Sequence, residues 1–147
     1  MTRAESAKKY FTDGYNCSQA VMLAFLDDHG APKEFLEQVA LPMGGGMGRL
    51  RETCGAVTGA FMTLGLLFPE RTKSEIYTMV QEFARRFKAK NGSYTCGELL
   101  SGVGVAADTA PNAEPRTPAY YKKRPCVELV GDAAEILEQL CKENGRL

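Results

Sequence analysis

Residues Met43–Phe68 read MGGGMGRLRETCGAVTGAFMTLGLLF, and this stretch decides the fold. From Cys54 to Phe68 there are 15 residues without a charge, apolar on nearly every side, which predicts a buried helix over about 53–68 at the centre of the molecule. It is too short for a bilayer span, which takes about 20 residues. Gly55 and Gly59, four apart, leave one helix face open to close backbone contact. The glycines ahead of it let the backbone turn tightly, because positions with positive φ resist side chains that carry a Cβ. Cys54 then falls in the first helical turn, where unpaired N–H groups and the helix dipole favour a thiolate, with Arg49 and Arg51 adding positive charge.

The glycine run does not read as a nucleotide site. GGGMGRLRE lacks the Lys-Ser/Thr of a phosphate-binding loop and follows no strand. Its backbone N–H groups can donate to sulfur or to an anion, so Gly44, Gly45 and Gly46 are candidate cofactor-binding positions beside Cys54.

Helical signals continue on both sides. Toward the N-terminus, Ala4, Ala7, Tyr10 and Phe11 share a face, and Asp13-Gly14 ends that helix. Asn16 caps a second helix over Cys17–Asp28 with Cys17, Ala20, Val21, Ala24 and Phe25 on one side. His29, the only histidine, precedes Gly30 and reads as an exposed C-terminal cap. Pro32 opens a third helix through Phe35, Leu36 and Val39. Toward the C-terminus, Thr72 or Ser74 caps a long helix to about Lys90, with Ile76, Tyr77, Val80, Phe83, Ala84 and Phe87 as its stripe and Glu82–Arg86 as a supporting pair. Thr95-Cys96-Gly97-Glu98 has the spacing of a capping box. Residues 101–125 carry Gly102, Gly104, Pro111, Pro115, Pro118 and Pro125 and no periodicity, so they predict an irregular segment, either a cover over a site or a loose excursion. Tyr120, Tyr121, Lys122, Lys123 and Arg124 within it read as solvated surface. Pro125 then opens a last helix with Leu129, Val130, Ala133, Ile136, Leu137 and Leu140 buried.

The chain carries five cysteines, and four of them, Cys17, Cys54, Cys96 and Cys126, each open a separate helix. A cysteine that serves only as a small hydrophobe can sit anywhere on an apolar stripe, whereas a thiolate gains from a helix N-terminus. Position therefore points to reactivity. Cys141 lies deep in the last helix and reads as structural. Four thiolates suit tetrahedral zinc, although no C-x2-4-C pair is present; they suit an iron–sulfur cluster held across a bundle; and two of them suit thiol–disulfide exchange if their Cα atoms lie within about 7 Å. In the exchange case Cys54 is the candidate nucleophile.

The whole chain of 147 residues, with 18 Lys+Arg against 18 Asp+Glu, fits one domain and offers no field for nucleic acid or an anionic membrane. MTRAESAKKYF has no apolar core of the kind a secretory signal needs, which predicts a cytoplasmic protein with reduced thiols.

The ordered set Gly14-Tyr15-Asn16-Cys17-Ser18-Gln19-Ala20, Gly44-Gly45-Gly46-Met47-Gly48 and Cys54-Gly55-Ala56-Val57-Thr58-Gly59-Ala60, followed by Cys96 and Cys126, resembles the C_GCAxxG_C_C family. These are small proteins grouped on a suspected redox activity. The resemblance covers roughly residues 5–140, and the family's four cysteines carry over onto Cys17, Cys54, Cys96 and Cys126, leaving Cys141 outside. A related domain accompanies haem in split-Soret cytochromes, where the cysteines are linked with an iron–sulfur centre. No C-x-x-C-H is present, so covalent c-type haem is not implied.

The expectation is an all-α single domain of about five to seven helices, in which four helix N-termini converge on a thiolate cluster. It would act in redox or electron transfer, through an iron–sulfur cluster or other metal bound by Cys17, Cys54, Cys96 and Cys126, or through a dithiol/disulfide pair. Arg49, Arg51 and Arg124 would raise its potential, and its redox partner is unknown. The alternative is a metal-stabilised or purely structural helical interaction module, and either reading admits a homodimer.

Overall fold

A computed structural model describes residues 1–147. Eight helices and no strand make up one all-α domain: α1 (Arg3–Thr12), α2 (Cys17–Leu26), α3 (Lys33–Ala40), α4 (Gly55–Leu67), α5 (Lys73–Asn91), α6 (Cys96–Ser101), α7 (Pro118–Lys123) and α8 (Cys126–Glu143). No helix is long and apolar enough to cross a membrane.

Local chemistry sets the helix starts. Asn16 accepts from the N–H of Gln19, whose side chain in turn accepts from the Asn16 N–H, both at 3.0 Å. Thr72 and Glu75 make the same reciprocal pair at the start of α5. Each pair satisfies two N–H groups that the first turn leaves free. The box expected at Thr95 and Glu98 is not formed. Ser93 supplies it instead: its hydroxyl donates to Glu98 at 2.5 Å and accepts from the Thr95 N–H at 3.0 Å.

The core lies where α1, α2, α4, α5 and α8 meet. The helix buried on every side is α2 rather than the expected 53–68 helix: all of Ser18–Leu26 is buried. It packs against α1, α3, α4 and α8, and its CSQAVMLAFL sequence carries no charge to hold a face in water. In α4, Gly65 is exposed and Phe61, Met62, Leu66 and Leu67 are half-covered. The small-residue face of α4 does what its spacing predicts. A Cβ on Gly55 would collide with Cys17 Sγ, and one on Gly59 would stand 2.7 Å from the Ser18 carbonyl oxygen, so these two glycines permit α2 and α4 to approach closely.

Three stripes shift in detail. In α3, Leu36 and Ala40 are buried while Phe35 is 55% exposed and Val39 also faces outward. In α5, Met79 joins Phe83 and Phe87 inside, and Tyr77 is 61% exposed. In α8, Leu129, Val130, Ala133, Leu137 and Leu140 are buried as expected, with Cys141 beside them. Glu82 and Arg86 pair at 2.6 Å.

Candidate functional site

A cavity of about 190 Å³ opens at one end of the bundle, and Cys17, Cys54, Cys96 and Cys126 all line it. Three of them are the first residues of α2, α6 and α8, and Cys54 is the residue that caps α4. Cys141 is fully buried and does not line the cavity. His29 is exposed and also lies outside it.

The backbone brings these helix ends together. The Cys54 N–H donates to the Tyr94 carbonyl at 2.8 Å, the Cys96 N–H to the Glu52 carbonyl at 2.6 Å, and the Gly97 N–H to the Arg51 carbonyl at 3.0 Å. Residues 51–54 and 94–97 are thereby tied side by side, although 40 positions separate Cys54 from Tyr94 in the chain. The glycine run folds onto the same segment through Glu52 N–H to Gly46 O, 3.0 Å. Gly44 and Gly45 line the cavity, whereas Gly46 does not and packs against Cys96, leaving 2.7 Å between its ideal Cβ position and the Cys96 Cβ. Met47, Arg49 and Arg51 take positive φ of 66°, 67° and 62°. Three side-chain-bearing residues in the left-handed region within five positions mark a backbone held in shape by its surroundings.

Four guanidinium groups share the cavity wall: Arg49, Arg51, Arg116 and Arg124. Arg49 donates to the carbonyls of Ala110 (2.6 Å) and Asp108 (3.4 Å) and pairs with the carboxylates of Asp108 and Glu114. Arg124 pairs with Glu114 and stacks over Tyr120. Arg116 donates to the carbonyls of Phe11 (2.9 Å) and Tyr15 (3.1 Å) and lies 4.2 Å above the Phe11 ring. Arg51 donates to the Asp108 carbonyl at 2.9 Å, and its Nη1 lies 3.7 Å from Cys96 Sγ. Two carboxylates, Asp108 and Glu114, therefore face four cations. The segment between α6 and α7 supplies both carboxylates and lies over the arginines, so the irregular stretch acts as a cover whose last part is the short helix α7.

Electrostatics correct one expectation. At Cys17, Cys54 and Cys126 position at a helix N-terminus does not lower the thiol pKa, because burial outweighs the dipole. Desolvation pushes Cys54 well above its ordinary value, and the neighbouring Cys17, Cys126 and Cys96 sulfurs add to the rise. Cys126 is pushed up to about 12, again chiefly by burial, with Arg124 and Arg116 opposing it. Burial also raises Cys17, partly offset by N–H groups of Gly45 and of its own first turn. The helix ends and arginines are present as the sequence predicts, but a sulfur taken out of water loses more solvation than they return. Tyr120, desolvated beside Cys126, rises to about 12.

Sequence reasoning placed Arg49, Arg51 and Arg124 near the cysteines, and the cavity includes all three. It missed Arg116, Glu114 and Phe11. Arg116 and Glu114 sit in the aperiodic segment, where no spacing signals a partner. The four thiols are the donor set that a metal or iron–sulfur centre takes, and no three His, Cys, Asp or Glu side chains stand close enough together in this structure to hold an ion.

The family model described as "Putative redox-active protein (C_GCAxxG_C_C)" matches residues 15–140. No curated protein and no solved structure matches the chain.

Proposed function

The chain belongs to the C_GCAxxG_C_C family, and from that membership we propose that it is a redox protein working by thiol–disulfide exchange within the four-cysteine cavity. The observation that carries the reading is the gathering of Cys17, Cys54, Cys96 and Cys126 around one cavity while Cys141 is left out.

Exchange needs an accessible attacking sulfur and a second sulfur to resolve the mixed disulfide. Cys54 is only 6% exposed, which suits the resolving role better than the first attack. Cys96 is half-buried and has the Arg51 guanidinium beside it, the combination of partial access and positive charge that favours a reactive thiolate. We assign Cys96 the first attack. Cys17, whose Sγ lies against Gly55 and so against the start of α4, and Cys54 are the resolving candidates.

A second reading keeps the same four sulfurs as ligands of an iron–sulfur cluster. The excess of arginine over carboxylate around the cavity favours it too, since a tetrathiolate cluster is anionic. The non-catalytic interaction module is the third.

One experiment separates them. Protein purified without oxygen is assayed for iron and sulfide, then equilibrated in thiol/disulfide buffers of stepped potential while its free thiols are counted and its disulfides mapped. Reversible loss of two thiols among Cys17, Cys54, Cys96 and Cys126 supports exchange. Stoichiometric iron and sulfide replaces it with the cluster reading, and neither result leaves the interaction module.

A further inference from the structure

Arg51 is the one arginine of the cavity with a fully buried donor left without a partner. The residue is 8% exposed, and its Nη2 is buried without any hydrogen-bond partner. Its Nε and Nη1 are occupied by the Asp108 carbonyl and Cys96 Sγ, and no carboxylate pairs with it. Arg49 and Arg124 have theirs in Asp108 and Glu114, while both terminal nitrogens of Arg116 are taken by carbonyls. A buried guanidinium nitrogen without an acceptor is costly to leave so. Guanidinium forks bind carboxylates and similar oxyanions in preference to neutral groups.

The rest of the wall says what body the anion is attached to. Leu99, Leu100, Leu129 and the rings of Phe11 and Tyr120 give the cavity an apolar lining, and its volume of about 190 Å³ is small beside the roughly 300–1,000 Å³ of sites for drug-sized ligands. A short alkyl chain fits it, with one charged end.

Resting on the exchange reading above, we infer that the co-substrate of the cavity is a low-molecular-weight disulfide bearing a carboxylate, and that Arg51 receives that carboxylate beside Cys96. The step balances without another reactant. The Cys96 thiol gives up its proton and attacks one sulfur of the small disulfide; that S–S bond breaks, a protein–ligand disulfide forms, and the first small thiolate leaves and takes up a proton. A second cavity cysteine attacks the mixed disulfide at Cys96 and releases the second small thiol. The protein is oxidised by two electrons to one internal disulfide, and the small disulfide is reduced to two thiols.

The test compares three short disulfides of different charge on the reduced protein: 3,3′-dithiodipropionate (anionic), bis(2-hydroxyethyl) disulfide (neutral) and cystamine (cationic). Each rate is divided by that of mercaptoethanol with the same disulfide at the same pH. The expected order is anionic, neutral, cationic, with the first at least about tenfold faster than the last, the scale of one charge-assisted hydrogen bond. Arg51→Gln collapses the anionic-to-neutral ratio, and Arg51→Lys keeps part of it. Suberate, which matches dithiodipropionate in length but has no sulfur, slows the reaction of the wild-type protein with the neutral disulfide, so the outcome does not depend on the variants folding. Equal normalised rates with no suberate effect overturn the anion inference and leave exchange standing. Absence of reaction at all four cavity cysteines with every disulfide overturns the exchange reading itself.

Discussion

Arg51 Nη1 lies 3.7 Å from Cys96 Sγ, and of the four cavity cysteines only Cys96 has a guanidinium donor directed at its sulfur. Burial raises the pKa of Cys17, Cys54 and Cys126 above the ordinary thiol value, and the guanidinium at its sulfur sets Cys96 apart from them.

Alkylation should therefore be ordered. With limiting iodoacetamide at neutral pH, Cys96 is labelled first, and Cys54 and Cys141, both buried, are labelled last. Peptide mass spectrometry after a time course reads the order directly. Labelling of Cys54 ahead of Cys96 would return the nucleophile's role to the residue that sequence position favours.

The glycines on the α2–α4 contact differ sharply from the one on the open side of α4. Gly55→Ala places a methyl into Cys17 Sγ, and Gly59→Ala places one 2.7 Å from the Ser18 carbonyl; each should cost about 1–3 kcal/mol through overpacking. Gly65 has nothing within 4 Å of an added Cβ and is exposed, so Gly65→Ala should stabilise by about 0.5–1 kcal/mol, the helix-propensity difference. Urea midpoints of the three variants give the comparison, and a shared sign would dissolve the distinction.

How much of this was legible in the sequence follows from what each signal depends on. Asn16 and Thr72 mark helix starts through contacts with residues a few positions away, so their reading carries straight into the structure. The GxxxG spacing of Gly55 and Gly59 is equally local. The four cysteines could be placed at helix starts, but their meeting around one cavity depends on the pairing of residues 51–54 with 94–97, a long-range contact without a local mark. The pKa values of Cys17, Cys54 and Cys126 read in the wrong direction because the dipole and Arg49 are visible in sequence while desolvation is a property of the packed molecule. Phe35 misled in the same way: it is apolar at helical spacing, yet the neighbours of α3 cover only Leu36 and Ala40.

Alkaline pH should unfold the protein by way of its buried thiols and Tyr120. An ordinary thiol titrates near 9.0, and in the folded chain Cys126 titrates near 12, Cys141 near 11 and Tyr120 near 12 against an ordinary 10.0. Below pH 9 these groups are protonated folded or unfolded, and they contribute no pH dependence. Between pH 9 and 12 the unfolded chain releases protons that the folded chain retains, so stability falls as pH rises, by up to about 1.4 kcal/mol per pH unit for each group fully within its window. Urea unfolding at stepped pH from 7 to 11 should show a flat region and then a decline, and Cys126→Ala should make that decline shallower. A slope unchanged by Cys126→Ala would mean that this thiol ionises as freely in the folded chain as in the unfolded one.

Arg116 should be the fastener of the cover. It reaches from the irregular segment to the end of α1 and just beyond, donating to the Phe11 and Tyr15 carbonyls and stacking on Phe11 while Tyr120 and Tyr121 flank it, and Tyr121 adds a weaker bond to the Thr12 carbonyl at 3.5 Å. Around it, residues 102–113 are almost all exposed and hold to the body through few side chains, chiefly Arg49 and Arg51 gripping the Asp108 and Ala110 carbonyls. Arg116→Ala removes two charged-donor hydrogen bonds and a cation–π contact, about 1–3 kcal/mol at this half-buried position. Arg116→Lys keeps the charge but cannot span two carbonyls with one ammonium, so it should fall between. Cleavage tracks the population of the open form when opening is fast, and a broad-specificity protease should cut the 102–115 segment at least about tenfold faster in Arg116→Ala than in the wild type. The segment loosens while the helical core keeps its melting transition, because α1, α2, α4, α5 and α8 pack together without it. Equal cleavage rates would show that the arginines on the glycine-loop side hold the cover without help from Arg116.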